Sequence, residues 1–326
     1  MSTTVAPDKI LKELAGLWVE EGKQGPSGVL RACTMTLVVI AEENDDAAAL
    51  GETVAALMPE HPARTILVRL RAGHERALSE RVYQQCWKPF GQRQQICCEQ
   101  IELTASDAAL GDLPSVLLPL IVADLPVILW CRSARLTEMP EFLEVAGLAT
   151  KLVLDSASFG SATAAIRRIA SSQQRGSGTA DLAWTRLSRW REMLARVFEN
   201  RVYLSRLHEV STIQVTWGDG FESAGWYLAA WAQNALADAG VNAKSSVVHG
   251  SGTICIELSG GSFRAGLRRE DDRLVVTVDE LSNCTHLPQP TDYLLMREEL
   301  GIQRRDPIFE RTLSTAARLA VSSASE

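Results

Sequence analysis

The sequence predicts an α/β protein: a mostly parallel sheet with a hairpin insertion in an N-terminal domain, followed by an α+β C-terminal domain. Three observations carry this. A run of β-formers, Leu30 to Ala41, a helical stretch and a second apolar run, Thr65 to Leu70, follow at the spacing of a βαβ unit. A small, polar stretch, SSQQRGSG at 171–178, interrupts the pattern in mid-chain. Beyond it, three strand-like runs follow one another too closely for helical crossovers, which makes an antiparallel meander. The domains expected are 1–172 and 181–326, with a linker over 173–180.

The elements follow in order. Ile10, Leu11, Leu14, Leu17 and Trp18 recur at helical spacing over 8–22. After the first strand, a helix over 45–58 ends at Pro59 and Pro62. The runs 80–90 and 93–103 flank Gly91 and predict a hairpin. Leu113 to Trp130 has nearly the length of a membrane span. However, it contains Asp124 and three prolines, so it reads as a buried helix, a tight turn and a buried strand over 126–131. A helix over 138–146, a strand over 151–155 and a helix over 161–171 complete the domain. The second domain begins with one long helix, DLAWTRLSRWREMLARVFEN, with Leu187, Trp190, Leu194 and Val197 on its apolar side and Arg186, Arg189, Arg191 and Arg196 on the other. A strand over 212–217, a helix over 222–237, the meander and two helices near 291–300 and 306–320 finish the chain.

With 46% hydrophobic and 22% charged residues, 326 residues can bury a core without disulfides or metal. The formal charge of −7 argues against a chain-wide grip on nucleic acid and opposes self-association. Seven cysteines show no Cys-x-x-Cys pair, and the N-terminus lacks the pattern of a signal peptide, so a reducing cytoplasm is expected. No membrane partner and no cofactor are expected.

The residues offer no recognised catalytic motif. The nearest to a phosphate loop is WGDGFESAG (217–225), but its glycine spacing is wrong for a dinucleotide fingerprint, and Asp219 puts a carboxylate where a phosphate would sit. The bland reading is a glycine turn between strand and helix. The carboxyl ends of the parallel strands are the better place for a ligand, since open α/β sheets form their crevice there. Glu42, Glu43, Arg132, Ser133, Asp155 and Ser156 fall at such ends. Arg132 could hold an anion with Asp155 and Ser156 beside it; the competing reading is an ion pair or a helix cap. Arg186, Arg189, Trp190, Trp226 and Trp231 are interface candidates, because Trp and Arg are enriched at binding hot spots. Helix-spaced aromatics are also core. Cys97 and Cys98 are candidate redox thiols, one expected buried and the other exposed, with Cys33 or Cys131 as further pairing partners.

The segments LRACTMTLVV, HPARTILVRL, ICCEQIEL, LPLIVADLPVILW, LVLDSASF, DLAWTRLSRWREMLA and LGIQRRDPIFE occur in this order between about residues 28 and 312. Together they resemble the glucose-6-phosphate dehydrogenase assembly protein (OpcA) family, with ADLPVILW and DLAWTRLSRWRE the most diagnostic. The resemblance implies a non-catalytic partner and allosteric activator of glucose-6-phosphate dehydrogenase, feeding the oxidative pentose phosphate pathway. In cyanobacterial members it further implies thioredoxin-linked control. It assigns no binding residues. Two other readings stay open: a sensor or enzyme taking sugar phosphates or nucleotides in the strand-end crevice, and a thiol switch.

Overall fold

Contacts divide the chain after Leu154, ahead of the 173–180 stretch, into units of Met1–Leu154 and Asp155–Glu326. The computed structural model describes residues 5–21, 29–87, 95–173, 178–302 and 305–322.

The first unit opens with helix α1 (Pro7–Glu21) and strands β1 (Val29–Arg31) and β2 (Met35–Glu42). The single strand expected over 30–41 is thus two. β1 pairs with the start of a later strand, whereas β2, buried along nearly its whole length, lies at the centre of the sheet. Helix α2 (Ala47–Leu57) and strand β3 (Ala63–Arg71) complete the βαβ unit, and β2 and β3 are parallel from Met35↔Ala63 to Glu42↔Leu70. Strands β4 (Leu78–Trp87) and β5 (Gln95–Ser106) form the expected antiparallel hairpin; its Gly91 lies outside the described residues. β5 also runs parallel to β1 and β3, so the hairpin is grafted onto the parallel sheet by its second strand.

Helix α3 (Leu113–Leu120) buries Leu113, Val116, Leu117 and Leu120. The chain then turns through Asp124, whose φ is +63°, into strand β6 (Val127–Cys131), buried throughout. Among the described residues no helix is long and apolar enough to cross a membrane. The helix expected over 138–146 is two short ones, α4 (Ala134–Thr137) and α5 (Phe142–Ala146), divided at Pro140, which cannot donate to a continuing helix. Strand β7 (Lys151–Leu154) pairs in parallel with β6, and β6 with β2. The parallel order is β1-β5-β3-β2-β6-β7, with β4 antiparallel on β5.

The second unit starts with helix α6 (Ala162–Gln173) and strand β8 (Gly178–Asp181). The long helix expected from Asp181 is broken. α7 (Leu182–Thr185) is capped by Asp181, and α8 (Ser188–Val197) starts after Leu187. Helix α9 (Arg201–Ser205) and strand β9 (Thr212–Trp217) lead into α10 (Glu222–Asp238). Strand β10 (Lys244–His249) was not legible as a strand; it pairs in parallel with β9. The meander is β11 (Ile254–Gly260), β12 (Phe263–Glu270), β13 (Arg273–Val278) and a further strand, β14 (Leu281–His286). Sheet order is β10-β9-β11-β12-β13-β14. Helices α11 (Asp292–Gly301) and α12 (Pro307–Ser322) end the described chain. α12 packs on α6 and α10, which is why α6 belongs to this unit.

Candidate functional site

At the carboxyl ends of the first unit's strands, basic groups meet acidic ones. Glu42, ending β2, holds Arg135 (Nη2 to Oε2, 2.9 Å) and accepts a hydrogen bond from the Ser133 hydroxyl. Arg135 also pairs with Asp107, which follows β5. The bonds to Glu42 and Asp107 hold the Arg135 guanidinium even more firmly charged than usual. Arg132 donates to Asp45 (3.5 Å) and lies over the Trp130 ring, 5.0 Å from its centre. The N-terminus of α2 faces the same rim. Its first amides, Ala48 and Ala49, donate to the Asp46 carboxylate at 2.9 and 3.1 Å. An anion bound at a helix N-terminus would use those donors. Here the chain's own carboxylate takes them, and the neighbouring acids are paired with Arg132 and Arg135, so the rim neutralises itself and leaves those amides unavailable to a pyrophosphate.

The remaining predicted crevice residues, Asp155 and Ser156, fall in the second unit while Arg132 falls in the first. Asp155 grips Arg186 bidentately, with both oxygens at 2.7 Å, and caps the following turn by accepting from Ala157 N. The ion pair and the helix cap that competed with the crevice reading of Asp155 are both made, the pair with Arg186 and not with Arg132. Burial works against the Arg186 charge, but the Asp155 bonds outweigh it and raise its pKa.

Beneath this pair lies a group that sequence reading missed. Asp181 is fully buried. Its Oδ1 accepts from the Ser156 and Ala183 amides at 3.0 and 2.9 Å, and its Oδ2 from the Tyr227 hydroxyl at 2.7 Å. Burial, with Asp155 nearby, pushes its pKa up to about 6 despite these bonds. An Asp opening a helix signals a cap in any sequence; its burial depends on α10 bringing Tyr227 over it.

The predicted interface residues separate. Arg186, Arg189 and Trp190 line one cleft of about 620 Å³, shared with the β9–α10 turn at Asp219 to Phe221 and the Leu287–Pro290 segment. The Trp190 side chain is buried, and Arg189 is exposed and paired with Glu192 at 2.6 Å. Trp226 is core at 6% exposure and Trp231 is half-buried, so neither joins the cleft. Arg191 is drawn inward instead of lying on the polar side: its guanidinium sits 3.3 Å from the centre of the Trp184 ring, and burial lowers its pKa to about 10.

The turn beside the cleft is the glycine crossing expected. A Cβ on Gly218 would lie 1.6 Å from the Gly252 carbonyl oxygen, Gly220 has a φ of +80°, and Gly225 lets the helix pass within contact of Trp217.

The thiols differ from expectation. Cys97 is bonded to Cys86, its direct neighbour across the β4–β5 ladder, and not to Cys98, Cys33 or Cys131. Neighbours along a strand point to opposite faces, whereas residues in cross-strand register face each other. Cys98 is also buried, because both faces of β5 are covered, and its pKa is pushed up to about 11. Among the described residues no cluster of His, Cys, Asp and Glu could hold a metal ion.

Comparison with known proteins places these features in a family. Residues 54–171 match the model of the glucose-6-phosphate dehydrogenase subunit N-terminal domain, and residues 177–313 that of the C-terminal domain. The chain is 25% identical over 141 residues to a protein of Nostoc punctiforme described as OxPP cycle protein OpcA, covering 43% of this chain and 30% of the relative. It is 24% identical over 190 residues to its Synechocystis sp. namesake, covering 57% and 39%. The chain thus spans less than half the length of the curated relatives it matches. Among solved structures, it is similar to an NAD binding oxidoreductase from Klebsiella pneumoniae (TM-score 0.49, 11% identity, 90% of this chain and 97% of that one). With both subunit domains matched in order along one polypeptide, the chain belongs to the OpcA family of glucose-6-phosphate dehydrogenase subunit proteins.

Proposed function

We propose that this protein is a non-catalytic partner of glucose-6-phosphate dehydrogenase that favours the enzyme's active oligomer or conformation, and thereby supports the oxidative pentose phosphate pathway. The carrying observation is the ordered match to both dehydrogenase-subunit domains. The strand-end rim supports it physically, since Asp46 occupies the α2 amides that a dinucleotide phosphate would need. The cleft at Arg186, Arg189 and Trp190 is the docking point in this reading: an apolar floor with charged groups at its edge, the anatomy of an interface hot spot. Activation requires that the protein bind the active enzyme more tightly than the inactive one, about 1.4 kcal/mol for a tenfold shift.

Purified chain added to the dehydrogenase is expected to bind it and to raise its rate or lower its substrate requirement. An enzyme indifferent to the chain across a wide concentration range overturns the proposal.

A thiol switch is a second reading, favoured by the Cys86–Cys97 pair. It expects the effect on the dehydrogenase to change with dithiol reductant and to lose that response in Cys86→Ser. An unchanged response in the variant removes it.

A further inference from the structure

Helices α6 and α12 pack on each other within the second unit. Each buries an apolar side, Ala165, Ile166 and Ile169 on α6 and Phe309, Leu313, Ala316 and Ala320 on α12. Their outward sides meet in a trough of about 1120 Å³. Its floor is made of small residues, Ala170 and Ser171 from α6 and Ser314 and Ala317 from α12. Its rim is made of arginines: Arg167 on α6, Arg311 and Arg318 on α12, and Arg305 just ahead of α12, all four exposed. The charges on and beside the trough are mostly of one sign. The charged residues of α6 are Arg167 and Arg168, with no acid among them. α12 has Arg311, Arg318 and one acid, Glu310. Arg305 and Asp306 precede it, and Asp238, ending α10, holds Arg311 at 2.6 Å. That makes five cations against three acids, in a chain where acids outnumber basic residues by 40 to 33. The acids are also engaged: Glu310 pairs with Arg305, and Asp306 caps α12 by accepting from the Ile308 and Phe309 amides at 2.9 and 3.0 Å. Among the described residues no acid pairs with Arg167. Arg318 donates to the Thr315 hydroxyl at 3.1 Å.

We propose that this trough receives an acidic helical segment of a protein partner. Charge sets the sign of the occupant: a basic groove on an acidic chain attracts an anion and steers it there. Extent favours a segment over a small anion. Small-molecule sites enclose most of their ligand in about 300–1,000 Å³. This one runs along α12 from Pro307 to Val321, about 21 Å at 1.5 Å per residue, and its arginines stand in solvent. An exposed ion pair contributes little by itself, so an occupant gains only by meeting several arginines at once. Their spacing suits a helix. Arg311 and Arg318 are two turns apart, about 10.5 Å along the axis, and carboxylates at i and i+7 of a helix laid alongside repeat at the same interval. The alanine and serine floor lets such a helix lie close, the groove mode of peptide recognition. The chain's own stretches outside the described residues offer no acidic segment. They contain one acid, Glu326, against Lys23, Lys88, Arg93, Arg175 and Arg304. The inference does not rest on the dehydrogenase reading, and its test is run without that enzyme.

The test is fluorescence anisotropy of a labelled, capped peptide titrated with the full chain. The peptide has about 20 residues, long enough to hold a helix, in heptads of glutamate, alanine and leucine; its counterpart carries glutamine for every glutamate. The glutamate peptide is expected to bind at least tenfold more tightly than the glutamine one, and to weaken as salt rises from about 50 to about 500 mM. Arg167→Glu with Arg318→Glu should weaken binding at least tenfold. Arg273→Glu, at an exposed arginine opening β13, should leave it unchanged. If the double reversal lowers the melting temperature, Arg167→Gln with Arg318→Gln makes the same comparison without added repulsion. Equal affinity for the two peptides overturns the proposal, and so does a folded double variant that binds the glutamate peptide as the unaltered chain does. Inorganic tripolyphosphate binding more tightly than the glutamate peptide would assign the trough to a compact anion instead. A dimer in sedimentation velocity that the double variant loses would assign it to a second copy. Either result overturns the proposal as well.

Discussion

Replacing Glu99 by alanine should damage the first unit more than any exposed ion-pair change, because of what Glu99 holds. Its side chain is 2% exposed and receives Arg64 Nε at 2.6 Å, Arg31 Nη2 at 2.8 Å and the Trp18 indole N–H at 2.7 Å. The three partners differ in cost once the carboxylate is gone. Arg31, with its side chain 48% exposed, returns to water and costs little. Trp18 is half-buried and loses about 1 kcal/mol of hydrogen bonding. Arg64 is the large term: its side chain is 9% exposed, and its remaining acceptor here is the Leu120 carbonyl at 2.9 Å. An uncompensated buried charge costs about 3–5 kcal/mol. The sum is about 4–6 kcal/mol on the first unit's unfolding transition, followed in urea through Trp18 environment and circular dichroism. Adding Arg64→Met to the Glu99→Ala protein removes the orphaned charge and should recover more than half of the loss. If Glu99→Ala costs less than about 1 kcal/mol, as a surface pair would, or if Arg64→Met makes the loss worse, the account of this cluster is wrong.

Asp181 should make stability depend on pH. Its folded pKa, about 6, lies above the 3.8 of the unfolded chain, so the folded protein binds the extra proton between them. Its contribution should therefore rise as pH falls from about 6 to about 4, by about 3 kcal/mol in all. Asp181→Asn keeps the acceptor for Ser156 and Ala183 and should flatten that segment in urea titrations; an unaltered profile would refute the assignment. Gly218→Ala, forced against the Gly252 carbonyl, should cost about 3 kcal/mol in thermal or urea unfolding. For the thiols, Cys131, pushed up to about 12, and Cys98, at about 11, should resist iodoacetamide at neutral pH while Cys284 in dilute protein reacts. Arg189→Glu, at the exposed edge of the cleft, should weaken dehydrogenase binding at least tenfold with unchanged chain stability, checked by titration calorimetry and a melting curve.

Periodicity and breakers alone determined most of the elements: the βαβ unit, the hairpin, the buried run at 113–131 and the meander all lie where alternation, glycine and proline put them. Those are local signals, and burial on both faces of a central strand writes itself as a continuous apolar run. Where local signals were equivocal, packing decided. Asp181 to Asn200 has the pattern of one helix, yet docking Trp184 against Tyr227 and Phe309, with Arg191 over its ring, goes with a break after Thr185. β10 and β14 carry too few apolar residues to announce themselves; as edge strands they form because a neighbour offers its free backbone groups. Pairings belong to the tertiary structure for the same reason. Nothing within reach of Asp155, Cys97 or Glu99 along the chain names Arg186, Cys86 or Arg64, since each partner is brought close by sheet register or helix docking and not by spacing in the sequence.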